Sequence, residues 1–269
     1  MISLENVSFS YGQKEPVIRD LTVEVGNGRI YGLFGKNGSG KTTLLKLMSG
    51  LLFASRGSIR ADGRDVSKRQ VETLRNIFFM QAEFRFGRTS LEKFINLHKP
   101  FYPAFSMDIL EDCLTESGMS MNTEKLDTLS TGEKKKVMFS IALASGSEYL
   151  LLDEPMNGMD IPSRGIFRKL LLKHLGEDRT AVISTHIASD MENILSDIMI
   201  LSDGEKMFSR TLEEISEKYC FGYAVSGEGS LYAEPCAGGY RVVSERKGGS
   251  PTEIMTELLF NAVTKGRLE

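Results

Sequence analysis

Gly35-Lys36-Asn37-Gly38-Ser39-Gly40-Lys41-Thr42, with Thr43 behind it, is the stretch that decides how this chain is read. It matches the phosphate-loop pattern G-x-x-x-x-G-K-[ST]. Before it, Arg29 to Phe34 is a short apolar run that predicts a strand, and after it Thr42 to Leu52 predicts a helix. Glycines let the backbone wrap so that several N–H groups point inward, and the helix that follows adds the positive end of its dipole. Lys41 then reaches β and γ phosphates and the Thr42 hydroxyl holds Mg²⁺. A plain glycine-rich turn with a surface lysine would need neither the strand before nor the helix after. Gly35, Asn37, Gly38, Ser39, Gly40, Lys41, Thr42 and Thr43 are therefore the expected phosphate cradle.

Further along, Tyr149-Leu150-Leu151-Leu152-Asp153-Glu154 is a wholly apolar strand ending in two acids. Continuous apolar strands belong to parallel sheets covered on both faces. Acids at the carboxyl end of such a strand lie where α/β sheets put their ligands. Asp153 is the expected Mg²⁺ ligand, through water. Glu154, one position on, suits a general base that polarises the attacking water.

Outward from these two motifs the chain reads as α/β. Residues 1 to 11 and 17 to 25 predict strands, the second with Leu21, Val23 and Val25 alternating against Thr22 and Glu24. A hairpin is expected around Gly57 to Gly63. Two helices are expected between 90 and 117, capped by Ser90 and Ser106, the first ending before Pro100 and the second at Gly118. Another helix runs from Ser130 to about Ala144. Then come a helix at 163–175, a strand at 180–185, a helix at 188–196 and a strand at 198–202. Strands alternating with helices imply a parallel sheet with right-handed crossovers. Past residue 205 short strands (Tyr223 to Ser226, Tyr240 to Ser244) lie among glycines. Ser250-Pro251-Thr252-Glu253 reads as the capped start of a last helix.

The bulk properties exclude several classes. A formal net charge of −3 gives no basic field, so no nucleic-acid partner is expected. Three scattered cysteines, Cys113, Cys220 and Cys236, form no disulfide framework and fit a reducing compartment. Met1 to Tyr11 has no basic start followed by an apolar run, so no secretory leader is expected. No uncharged apolar stretch reaches about 18 residues, so a membrane role must come through another chain. His98 and His174 read as surface residues, and Lys134 to Lys136 as a solvated basic run.

With the phosphate loop and the acidic strand in place, the order of other short motifs resembles the ABC ATPases over roughly residues 1 to 210. Gln81 resembles the Q-loop glutamine, and Leu129-Ser130-Thr131-Gly132-Glu133 the signature motif, commonly Leu-Ser-Gly-Gly-Gln. Asn157-Gly158-Met159-Asp160 resembles the D-loop, His186 the switch histidine, and Tyr11 the aromatic that stacks on adenine. Thr131 and Glu133 depart from the commonest signature. By itself Ser130 with Glu133 is an S-x-x-E capping box.

The resemblance implies a phosphate-loop NTPase core with a parallel sheet, an antiparallel β subdomain, a helical subdomain and a small α+β extension at the C-terminus. It places the cassette at 1–205, the helical subdomain at about 82–147, and the extension at 206–269. It implies hydrolysis of ATP with Mg²⁺. Glu154, His186 and Gln81 would be catalytic. Thr42, Gln81 and Asp153 would hold the metal, and Tyr11, Ser130, Gly132 and Asp160 would join the phosphate loop in binding nucleotide. The implied partners are a second copy or a closely related cassette, and a separate transmembrane permease. The implied place is the cytoplasmic face of the cell membrane.

One cassette, with a short segment between Gln81 and Ser130, looks most like the ATPases of bacterial exporters. A soluble ATP-gated module is the competing class. A guanine-nucleotide enzyme lacks its N-K-x-D motif here and leaves Ser130 to Glu133 unexplained. Phe84-Arg85-Phe86, just past Gln81, lies where family members dock the membrane chain, and equally reads as helical-subdomain core.

Overall fold

The computed structural model describes residues 1–188, 191, 193–248 and 250–268. Its centre is a six-stranded sheet of β3 (Ile30–Phe34), β6 (Ile77–Met80), β7 (Tyr149–Asp153), β8 (Thr180–Ser184), β9 (Asp197–Ser202) and β10 (Lys206–Thr211). Their order is β10-β9-β3-β8-β7-β6, parallel except for β10, which turns back on β9. β7 shows why its apolar run is continuous. Tyr149 and Leu151 enter the core on one face of the sheet, while Leu150 and Leu152 enter the core on the other. All four are at most 1% exposed. Complete burial of a leucine side chain contributes roughly 1.5–3 kcal/mol.

On one face α1 (Lys41–Met48) lies between the central sheet and an antiparallel sheet. That second sheet has the order β2-β1-β4-β5, from β1 (Ile2–Phe9), β2 (Ile18–Val25), β4 (Arg56–Ala61) and β5 (Arg64–Asp65). Alternation in β2 buries Ile18, Leu21, Val23 and Val25.

The other face is covered by α5 (Thr131–Ala144) and α6 (Ile161–Leu175), where Phe139 stacks on Phe167 with centroids 3.9 Å apart. Beyond them lie α3 (Leu91–His98) and α4 (Met107–Glu116). Ser90 and Ser106 cap these two as expected, each accepting the N–H three residues on. A short helix, α2 (Val71–Leu74), leads into β6.

At the C-terminal end α7 (Leu212–Lys218) carries a Thr211/Glu214 capping box and leads into a sheet of order β11-β13-β12. These strands are β11 (Tyr219–Ala224), β12 (Tyr232–Cys236) and β13 (Gly239–Glu245), and α8 (Thr256–Thr264) rests against β13 and β9. Leu258, Leu259 and Ala262 of α8 are fully buried in the core that lies under the central sheet.

Several expectations change. The last helix starts at Thr256, not after Ser250. Thr252 Oγ1 accepts the N–H of Phe221 at 2.8 Å, and this tie to the edge of β11 holds 251–255 out of the helix. The helix expected at 188–196 falls partly on residues 189, 190 and 192, outside the described residues; 193 and 194 form a turn, with Asn193 at φ 70°. His174 is not a surface residue: its side chain is 12% exposed and pairs with Asp112 at 2.6 Å, beside Lys173. Lys135 leaves the solvated basic run altogether, at 3% exposure. Among the described residues no helix is long and apolar enough to cross a membrane.

Candidate active site

The carboxyl ends of β3, β7 and β8 meet over one cleft. It is lined by Val17, Asn37, Gly38, Gly40, Lys41, Thr42, Thr43, Glu154, Asn157 and His186. β3 delivers the phosphate loop, where Gly38 and Gly40 take φ of 84° and 103°, conformations that side chains avoid. A Cβ on Gly40 would also stand 2.9 Å from Ile18 Cδ1. Lys41 folds back over the loop and donates to the carbonyls of Gly35 (2.7 Å) and Lys36 (3.2 Å). Burial pushes its ammonium pKa down, against the pull of Glu154 and Asp153. Ser39 Oγ is buried without a hydrogen-bond partner among the described residues. An unpaired buried hydroxyl is costly, and a phosphate oxygen would satisfy it.

Asp153, fully buried, ends β7. Thr42 Oγ1 donates to its Oδ2 at 2.8 Å and Ser184 Oγ to its Oδ1 at 2.6 Å. Glu154 follows with φ 46°, in the left-handed region. For a residue other than glycine such strain costs about 1–3 kcal/mol and persists where neighbours over-determine it. The neighbours here are explicit. The Glu154 N–H lies 3.2 Å from Ser184 O and 3.0 Å from Ser184 Oγ. The Glu154 carbonyl accepts the N–H of Asn157 and the ammonium of Lys135, and Oε2 accepts His186 Nδ1 at 2.8 Å. The bent peptide turns the Glu154 carboxylate off the sheet and into the cleft.

The remaining expected residues lie around this centre. The Tyr11 hydroxyl is 3.1 Å from Thr43 Oγ1, and its ring packs edge-on against Phe9. Gln81 is exposed directly after β6 and does not line the cleft. Ser130 caps α5 and forms the full capping box with Glu133. Gly132 lies against Gly158 of its own chain, where a Cβ would stand 3.2 Å from Gly158 O. Neither Ser130 nor Gly132 lines the cleft that holds Lys41. Asp160 caps α6 by accepting the N–H of Ser163, and those bonds hold its carboxyl below the usual range.

Ser184 and Lys135 had no place in the site expected from sequence, and Asn157 entered it only through the D-loop resemblance. A polar residue closing an otherwise apolar strand was the available signal for Ser184. Nothing in the sequence marked Lys135 among three consecutive lysines. Beyond the end of β8, Thr185 to Ala188 face Glu257, Phe260 and Asn261 of α8 across a cleft of about 400 Å³.

A strand-borne phosphate loop facing a buried aspartate and a partnered glutamate defines a phosphate-loop nucleoside triphosphatase. The comparisons carry this further. The model of the family described as ABC transporter matches residues 18–157. The ABC transporter ATP-binding protein YtrB of Bacillus subtilis is 29% identical over 221 residues, covering 81% of this chain and 75% of that protein. The energy-coupling factor transporter ATP-binding protein EcfA1 of Fusobacterium nucleatum is 32% identical over 213 residues, covering 76% and 80%. The dimeric structure of a post-hydrolysis state of the ATP-binding cassette MJ0796, bound to ADP and Pi, matches with a TM-score of 0.69 at 22% identity. That match covers 79% of this chain and 99% of that one. This chain belongs to the ABC transporter family, as its ATP-binding and ATP-hydrolysing subunit.

Proposed function

We propose that two copies of this chain, or this chain and a closely related cassette, close head-to-tail on two ATP molecules. Closure and release then drive a separate transmembrane permease, in the export direction, from the inner face of the cell membrane. The observation that carries this is a division of labour. Lys41, Thr42, Glu154 and His186 share one cleft, whereas Ser130 and Gly132 lie outside it. A head-to-tail pair would bring the signature of each chain onto the ATP of the other, giving two composite sites under twofold symmetry. Residues 1–205 form the cassette in this reading, with its helical part at about 82–147. Residues 206–269 form the extension, whose first strand, β10, is shared with the cassette's sheet.

In the catalytic step Glu154 takes a proton from water as the water oxygen bonds to the γ-phosphorus. The bond from that phosphorus to the bridging oxygen breaks, and ADP leaves with phosphate. Lys41 and the loop N–H groups hold the phosphates, and Tyr11 stacks on adenine. His186 holds the Glu154 carboxylate and would touch the γ-phosphate. The residues fit a divalent cation, because Asp153 is a fully buried carboxylate whose hydrogen-bond partners among the described residues are two neutral hydroxyls. Thr42 and Asp153 would hold Mg²⁺, joined by Gln81 only if it moves in from its exposed place after β6, and the ion would neutralise charge on the phosphates.

The test is crosslinking in native membranes followed by recovery of what is bound. Recovery of a polytopic membrane protein that stimulates ATP hydrolysis on reconstitution supports the proposal. A chain that distributes away from membranes and crosslinks to no membrane protein would defeat it and favour the soluble ATP-gated module.

A further inference from the structure

Lys135 is an ammonium buried inside the molecule at 3% exposure, and it reaches across to one atom of the active site. It projects from the second turn of α5, five residues past the Ser130 cap, and its Nζ donates to the carbonyl oxygen of Glu154. A buried charge is expensive unless an excellent geometry compensates it. The geometry here serves the residue with the least favourable backbone in the site, Glu154 at φ 46°. The Glu154 N–H is held by Ser184 and its carboxylate by His186, and Lys135 holds the third point, the carbonyl. The Asn157 N–H, also on that carbonyl at 3.2 Å, closes only the local turn.

We propose that Lys135 is a positioning residue: its buried ammonium pins the left-handed peptide of Glu154, so that the carboxylate keeps its aim into the cleft. The same side chain ties the signature helix to the base within one subunit. The inference rests on the reading of Glu154 as the general base.

The test compares Lys135→Met, Lys135→Gln and Glu154→Gln in steady-state ATP hydrolysis, with a thermal melt of each. Methionine keeps the apolar stem and removes the donor. For Lys135→Met the expected result is a fall in kcat of about tenfold or more, with KM for ATP nearly unchanged, the pattern of a contact felt in the transition state. Its Tm should hold or rise, because a buried charge has gone. Lys135→Gln, which keeps an N–H donor, should retain more turnover than Lys135→Met. Adding Lys135→Met to Glu154→Gln should cost nothing further, because the two act as one unit. Parent kcat in both Lys135 variants, alongside lost turnover in Glu154→Gln, overturns the role of Lys135 alone. Parent turnover in Glu154→Gln instead overturns the assignment of the base.

Discussion

His186 Nδ1 lies 2.8 Å from Glu154 Oε2, although 32 residues separate the two in the chain. The imidazole side chain is 42% exposed and the carboxylate side chain 16%, so His186 covers the Glu154 carboxylate from the solvent side. Glu154→Gln keeps the shape and can still accept this hydrogen bond, yet cannot take a proton. Turnover should fall on the order of 10²–10⁴ while ATP binding persists, leaving a longer-lived ATP-bound dimer. His186→Ala should also slow turnover. The double variant should be little worse than Glu154→Gln alone, because residues acting as a unit are not additive. Phosphate release and nucleotide binding, measured side by side, decide this.

Lys41→Ala should abolish hydrolysis and weaken ATP binding strongly. Its ammonium lies over the loop, on the carbonyls of Gly35 and Lys36. Backbone N–H groups cannot replace a charge-assisted contact to phosphate. Near-normal turnover in a steady-state assay would remove the phosphate loop from the mechanism.

Mixing Lys41→Ala chains with Gly132→Asp chains tests action across the subunit boundary. Each variant alone should be inactive. A mixed dimer keeps one composite site of parent residues, so part of the activity should return on mixing. The Gly132 variant needs a melting control, because a side chain there also crowds Gly158 O of its own subunit. Well-folded dimers with no recovery at any ratio would argue against the head-to-tail arrangement.

Phe86 separates docking surface from core. It is 6% exposed and packs edge-on against Phe84 and Phe94, at 5.3 and 5.1 Å between centroids. Phe86→Ala should therefore cost about 3–5 kcal/mol in urea unfolding. Arg85→Ala, at an exposed position between them, should stay within about 0.5 kcal/mol. Equal, small effects would return Phe86 to the surface.

Cys113 should be chemically silent. It is fully buried in α4, and burial pushes its thiol up to about 12. At pH 8 an alkylating reagent should leave it unmodified in the folded protein and label it once urea unfolds the chain, as read by peptide mass. The linkage has a definite sign. The folded protein keeps this proton where the unfolded chain loses it, so its contribution to stability is whole below about pH 9. That contribution falls as pH rises toward 12. Rapid labelling of Cys113 in folded protein would contradict the packing of α4.

The sequence by itself determined the fold class and marked most residues of the candidate site. A strand, a glycine-rich loop and a helix in immediate succession admit one phosphate-binding geometry, so Gly35 to Thr43 were legible without coordinates. Asp153 and Glu154 were legible because an apolar strand buried on both faces must deliver its polar ends to a sheet edge. These are local signals, carried by neighbours in the chain. Tertiary structure decided what depends on residues far apart meeting. Lys135 looks like its neighbours Lys134 and Lys136 until α5 turns it inward onto Glu154. His174 is drawn from the surface by Asp112 on α4, and the start signal at Ser250 loses to the bond that Thr252 makes with Phe221. In each case a contact across the fold outweighed the local preference, because burial and pairing change a polar group's free energy more than its neighbours in sequence do.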